Sequence, residues 1–158
     1  MFQEMASCPA TLEASASADC YGIMEGNSVE QADAKQAYVQ ARLRGTRTVV
    51  RLPKRRWPKH WHGVYIDPVC PLELALYGHP QSGGFWEEHA EKNITEEGFN
   101  CIPEWKSCYW HHELRVLLVL YVDDFKLAGP TKNLPVAWEK IRRNLNTGDP
   151  QPLDHFQT

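Results

Sequence analysis

From Val116 to Val122 the chain runs through seven consecutive apolar or aromatic residues, then presents two adjacent carboxylates, Asp123 and Asp124, before Phe125 resumes the apolar pattern. A run this short and this rich in Val and Leu, bounded by acids, reads as a buried strand. Side chains alternate along an extended strand, so neighbouring acids converge on one site only if the backbone turns there. The pair therefore predicts a hairpin that reverses at 123–124. Two close carboxylates repel and hold a proton at neutral pH unless a cation lies between them. Hard oxygen ligands favour Mg²⁺ or Mn²⁺ for that role. Asp is also common in hairpin turns, and that plainer explanation covers the dipeptide taken alone.

A second acid ends a strand elsewhere. Residues 29–33 read as a short strand closing on Asp33, followed by a helix over 34–44 that Gly45 stops. Asp33 could simply cap that helix. Beside Asp123 and Asp124 it would supply the carboxylates from more than one strand that a metal pair needs to clamp an in-line phosphoryl displacement. The remaining pattern is a strand over 46–52, a loop after Pro53, and a helix opened by the glycine-containing turn at Gln81 and ended by Gly98. Strands over 105–112, 114–122 and 125–128 follow, closed by Gly129-Pro130, with a last amphipathic helix over 134–145. The order predicts an α+β domain with a mostly antiparallel sheet and helices on one face. Residues 1–28, rich in Ala and Ser without a clear period, read as a flexible or poorly ordered lead, and 29–158 as the domain.

Length and composition narrow the function classes. The 158 residues, 42% of them hydrophobic, suffice for one domain with a core. A formal charge of −3 gives no global attraction for polyanions, so any nucleic-acid contact must come from a local patch. One candidate exists, the loop carrying Arg51, Lys54, Arg55, Arg56 and Lys59 interleaved with Trp57 and Trp61. Such a mixture suits backbone neutralisation plus base stacking, although a charge run is more often a solvated face. Cysteines at 8, 20, 70, 101 and 108 are odd in number and lack a C-x-x-C pair, which fits neither a disulfide framework nor a zinc ribbon. His60, His62, His111 and His112 show no zinc spacing with them. The expectation is an intracellular protein, cytoplasmic or nuclear, without a membrane span or signal peptide.

Three segments carry a resemblance. QADAKQAYVQA at 31–41, ALYGHPQSGGFW at 75–86 and YVDDFKLAG at 121–129 resemble, in order, three palm motifs of copia-type retrotransposon reverse transcriptases. The connecting GFNCIPEWKSCYWHH and TKNLPVAWEKIRRNL are similar to that family too, so the likeness spans about residues 29–156. It implies a palm-like fold and an RNA-directed DNA polymerase, which adds deoxynucleotides to a primer on an RNA or DNA template with two Mg²⁺ or Mn²⁺ ions. Asp33, Asp123 and Asp124 would be the catalytic metal ligands. Tyr38 would lie under the nucleotide sugar, and Gln81 and Tyr121 would approach the nucleotide. By itself Tyr38 would read as a core aromatic, and Gln81 as a polar residue at a helix start.

The family places basic fingers strands before the palm and a primer-gripping Leu-Gly turn, thumb and RNase H domain after it. Here a dissimilar lead precedes the first motif, and Asp154-His155-Phe156-Gln157-Thr158 follows the last helix. The expectation is therefore a truncated palm that is weakly active or inactive, since a polymerase draws its rate from positioning and preorganised charge. The alternative is a non-catalytic nucleic-acid-binding or interaction module derived from a retroelement.

Overall fold

The computed structural model describes residues 9–153. Its elements in chain order are α1 (Leu12–Gly22), β1 (Asn27–Asp33), α2 (Ala37–Gln40), β2 (Val49–Val50), β3 (Cys70–Pro71) and α3 (Ser82–Glu96). Then follow β4 (Phe99–Cys101), β5 (Cys108–His111), β6 (Val116–Tyr121), β7 (Asp124–Pro130), α4 (Leu134–Arg142) and β8 (Gln151–Pro152). The chain is an α+β fold built on a six-stranded sheet of order β4-β5-β6-β7-β1-β8, antiparallel at each pairing. β2 and β3 form a separate two-stranded ribbon.

The apolar run is the centre of the sheet. β6 lies between β5 and β7, and Val116 through Leu120 are buried on both faces. Its alternate residues feed two cores. Val116, Leu118 and Leu120, with Phe125 and Leu127 of β7, meet Trp86, Ala90 and Ile94 of α3 and Leu134, Trp138 and Ile141 of α4. Leu117 and Val119, with Val29 and Ala128, meet Ala10, Ala14 and Ala18 at the other face.

That second core corrects two expectations. The lead contains a helix within its described part, and helices cover both faces of the sheet rather than one. The physical reason is size. Ala10, Ala14, Ala18 and Gly22 recur every four residues, so one side of α1 is small enough to lie close on the strands. At Gly22 a Cβ would stand 1.9 Å from Val29 Cγ2. Thr11 caps the helix by accepting from the Ala14 N–H at 3.3 Å. Residues 1–8 of the lead lie outside the described residues, as do 154–158.

Other bounds shift for local reasons. The helix expected over 34–44 is one turn long, because Gln36 takes a left-handed φ of 54° and Ala41 is extended. Beyond it Leu43 N–H donates to Glu73 and Ala75 N–H to Ala41, which fixes the chain as a bridge rather than a helix. The strand expected over 46–52 shrinks to Val49–Val50, paired with Cys70–Pro71. β7 runs on through Gly129-Pro130. The short edge strands β4 and β8 had no sequence signal. Among the described residues no helix is long and apolar enough to cross a membrane.

Candidate active site

The strand ends position the acids. β1 and β7 pair so that Asp33 stands opposite Asp124, and β6 and β7 pair so that Tyr121 stands opposite Asp124. Between β6 and β7 only Val122 and Asp123 remain, a two-residue hairpin turn. Such tight turns need a left-handed residue, ordinarily Gly or Asn. Here Val122 takes it, at φ 56°, a costly conformation for a β-branched side chain. Two contacts enforce it. The Trp86 indole N–H donates to the Val122 carbonyl at 2.6 Å, and the Ala34 N–H donates to the Asp123 carbonyl at 2.6 Å. The backbone of Asp33 is fixed in turn by the Gly148 N–H, which donates to its carbonyl at 2.7 Å. Strain is thus stored at the point where the acids gather.

The acids bear on one another electrostatically. Burial, a hydrogen bond to the Asp33 carboxylate, and the charges of Asp33 and Asp123 push the Asp124 carboxyl up to about 6. When protonated, Asp124 donates to Asp33, which is why the contact favours its neutral form. This donor set is the kind a hard divalent ion takes in place of a proton. It fits as a pair plus a neighbour and not as a finished cage, since among the described residues no three His, Cys, Asp or Glu side chains are gathered closely enough to hold a metal ion.

Tyr38 stacks on Tyr77, ring centroids 4.3 Å apart and tilted by 36°. Tyr77 is more than half exposed, and burial, the Asp123 charge and Tyr38 raise its hydroxyl's pKa. Asp123 therefore lies in reach of an aromatic wall whose second member, Tyr77, carries no sequence signal of its own. Gln81 stands at the start of α3, its N–H donating to His79 Nδ1 at 3.2 Å and its Oε1 facing Gly45. On the same helix Trp86 reaches the hairpin turn. Tyr121 is exposed beside Asp124 on the sheet face that α1 covers.

The basic loop sits apart, on the β2–β3 ribbon. Arg51 is paired with Asp67 at 3.0 Å, and the Lys54 ammonium lies 5.9 Å from the Trp57 ring centre. Arg55, Arg56 and Lys59 are exposed. Trp57 and Trp61 are not splayed for stacking. They pack edge to face at 6.5 Å, Trp61 packs on Tyr65 at 5.9 Å, and the Trp57 indole donates to the Leu52 carbonyl at 2.9 Å. The half-buried tryptophans thus pack within the loop itself. Comparison with protein-family models and with curated proteins returns no match for this chain.

Proposed function

We propose that this chain is the palm portion of a template-directed nucleotidyltransferase of the copia-type reverse transcriptase kind, with Asp33, Asp123 and Asp124 as its catalytic carboxylates. The observation that carries the reading is the pairing of β1 with β7, which sets Asp33 against Asp124 across the sheet beside the Asp123 turn. Turn chemistry alone accounts for a single Asp at a hairpin tip. It does not account for a third acid set against Asp124 from a distant strand, or for a β-branched residue held left-handed at the turn.

In this reading the carboxylates hold Mg²⁺ or Mn²⁺, which when bound lowers the pKa of a primer 3′-hydroxyl and neutralises the leaving pyrophosphate. Asp33 faces the nucleotide phosphates, and Asp124 keeps its partner oriented through their shared contact. Tyr38, backed by Tyr77, forms the wall under the sugar. Gln81 and Tyr121 flank the incoming nucleotide, and RNA or DNA supplies template and primer. Exposed Arg55, Arg56 and Lys59 offer phosphate contacts whose effect is on affinity and not on sequence choice. The free thiols of Cys20, Cys70, Cys101 and Cys108 support a reducing, intracellular setting, cytoplasmic or nuclear.

The test is nucleotide binding with and without Mn²⁺. The wild-type chain binds a deoxynucleoside triphosphate at least about tenfold more tightly with Mn²⁺ present, as a metal bridging phosphates and carboxylates requires, and Asp33→Asn abolishes the difference. Binding that ignores Mn²⁺ in both proteins contradicts the reading.

A further inference from the structure

The acid pair and α1 share one face of the sheet. Alternation along β7 places Asp124, Lys126 and Ala128 on the same side, and Ala128 packs in the core beneath α1. Lys126 thus lies about 7 Å of strand from Asp124, on the face that also carries Asp33 and Tyr121. Its ammonium is held wholly by α1. It donates to Ser15 Oγ at 2.7 Å and to the two Asp19 carboxylate oxygens at 3.0 and 3.1 Å, and its side chain is only 16% exposed. Between the first turn of α1 and the strands remains a cavity of about 240 Å³, lined among others by Ser15, Gln31, Tyr121, Asp124 and Lys126.

The cover is lightly fastened. α1 meets the sheet through Ala14, Ala18 and Gly22, with Ala10 just before it and Tyr21 packed on Trp110 at 5.8 Å between ring centroids, while the apolar Leu12, Ile23 and Met24 face solvent. The alanine part of that interface buries little apolar area per residue, so along Ser15–Asp19 the ion pair is the polar fastening added to a thin apolar contact. The other end is pinned by the Tyr21 hydroxyl, which donates to the Arg115 carbonyl at 3.0 Å, and Gly26 turns the chain just beyond at φ 81°. Ahead of the helix the Ala10 N–H donates to the Leu120 carbonyl at 3.3 Å, so uncovering Lys126 takes release of that bond and of the ion pair while the C-terminal end stays anchored.

We propose that Lys126 is a phosphate-binding residue held in reserve, and that α1 is the internal cover that occupies it, with Asp19 standing where a phosphodiester of a single-stranded nucleic acid would otherwise sit. The choice of a nucleic-acid phosphate as ligand rests on the proposed function; the competition between Asp19 and an anion for Lys126 does not. A freed lysine beside carboxylates on one sheet face makes a charge-assisted contact to a strand that the covered protein lacks.

The test is binding of a fluorescein-labelled oligothymidylate to the full-length chain by anisotropy, across a salt series. Asp19→Asn tightens binding roughly tenfold and steepens the dependence of log K on log salt by about 0.7, one more phosphate contact on a single strand. Adding Lys126→Met to Asp19→Asn removes both effects. Glu13→Gln, which makes the same charge change at an exposed position of the same helix, leaves binding within about twofold, because charge separated from the ligand is screened. Equal gains from Asp19→Asn and Glu13→Gln, or a double variant that binds as tightly as Asp19→Asn, overturns the proposal. Repeating the series in EDTA separates the two claims. A Lys126-dependent gain that persists without metal upholds the cover even if the carboxylates bind no ion.

Discussion

At the scale of residues, the hairpin acids set up opposing demands that can be read as stability. Asp124 titrates at about 6 in the folded chain against 3.8 for the free side chain. The fold therefore binds this proton more tightly than the unfolded chain does, and stability falls as pH rises from about 4 through 6. Asp124→Asn should be more stable than wild type above that window by up to about 1 kcal/mol, since partial exposure screens the repulsion. The advantage should vanish below pH 4. Urea denaturation at several pH values checks this, and a constant difference across the range would show that Asp124 is not held against its charge. Trp86 does complementary work on the backbone. Trp86→Phe keeps the buried ring but removes the donor to Val122, and should lower stability by about 1–3 kcal/mol with an unchanged denaturant slope.

At the scale of elements, what could be read in the sequence divides by how much each signal depends on a distant partner. β6 was legible because a strand buried on both faces needs an unbroken apolar run, and α3 because Gly98, at φ 95°, ends an amphipathic stretch. α1 was not legible, since its buried side is alanine and glycine and looks like composition rather than pattern. α2 was overextended because Ala, Gln and Arg favour helix locally, while the bridge between Arg42 and Leu74 takes the chain away. Within the candidate site the strand-end acids stood out in the sequence one by one, and the register sets Asp33 against Asp124. The contacts of Tyr77, Trp86 and Lys126, though these lie inside the three motifs, could not be read, because each is defined by what it touches across the fold. The reading of α1 as packed structure has its own check. Ala18 is fully buried, so Ala18→Leu should cost about 1–3 kcal/mol by overpacking and strip hydrogen-exchange protection from residues 12–22 while β6 and β7 keep theirs. Unaltered stability would mean that the helix rests on the sheet too loosely to be part of the core.

At the scale of the whole molecule, the sheet acts as a frame with two differently finished faces. α3 and α4 seal one with Trp86, Ile94, Trp138 and Ile141, large side chains that make the permanent core. α1 closes the other with small residues, the Tyr21 ring on Trp110 and the Lys126–Asp19 ion pair. Asp33 and Asp124 lie on this second face at one end of the strands, beside the strained Val122 turn. Such a distribution separates stability from chemistry. The side that holds the fold together is not the side that offers charge to a ligand. The basic ribbon contributes no residue to either core.

Whether the carboxylates act as one cation site is tested most directly by Mn²⁺ titration followed by paramagnetic broadening of backbone amide signals. In wild type, signals around Asp33 and around the Val122–Asp123 turn should broaden together at Mn²⁺ concentrations on the order of millimolar or below, as a few carboxylates without substrate phosphates allow. Asp33→Asn and Asp123→Asn should each abolish broadening at both places, with the fold intact by the chemical shifts of β6. Broadening that survives either substitution unchanged, or that appears at the turn without appearing at Asp33, would contradict the claim that these strands build a single metal site.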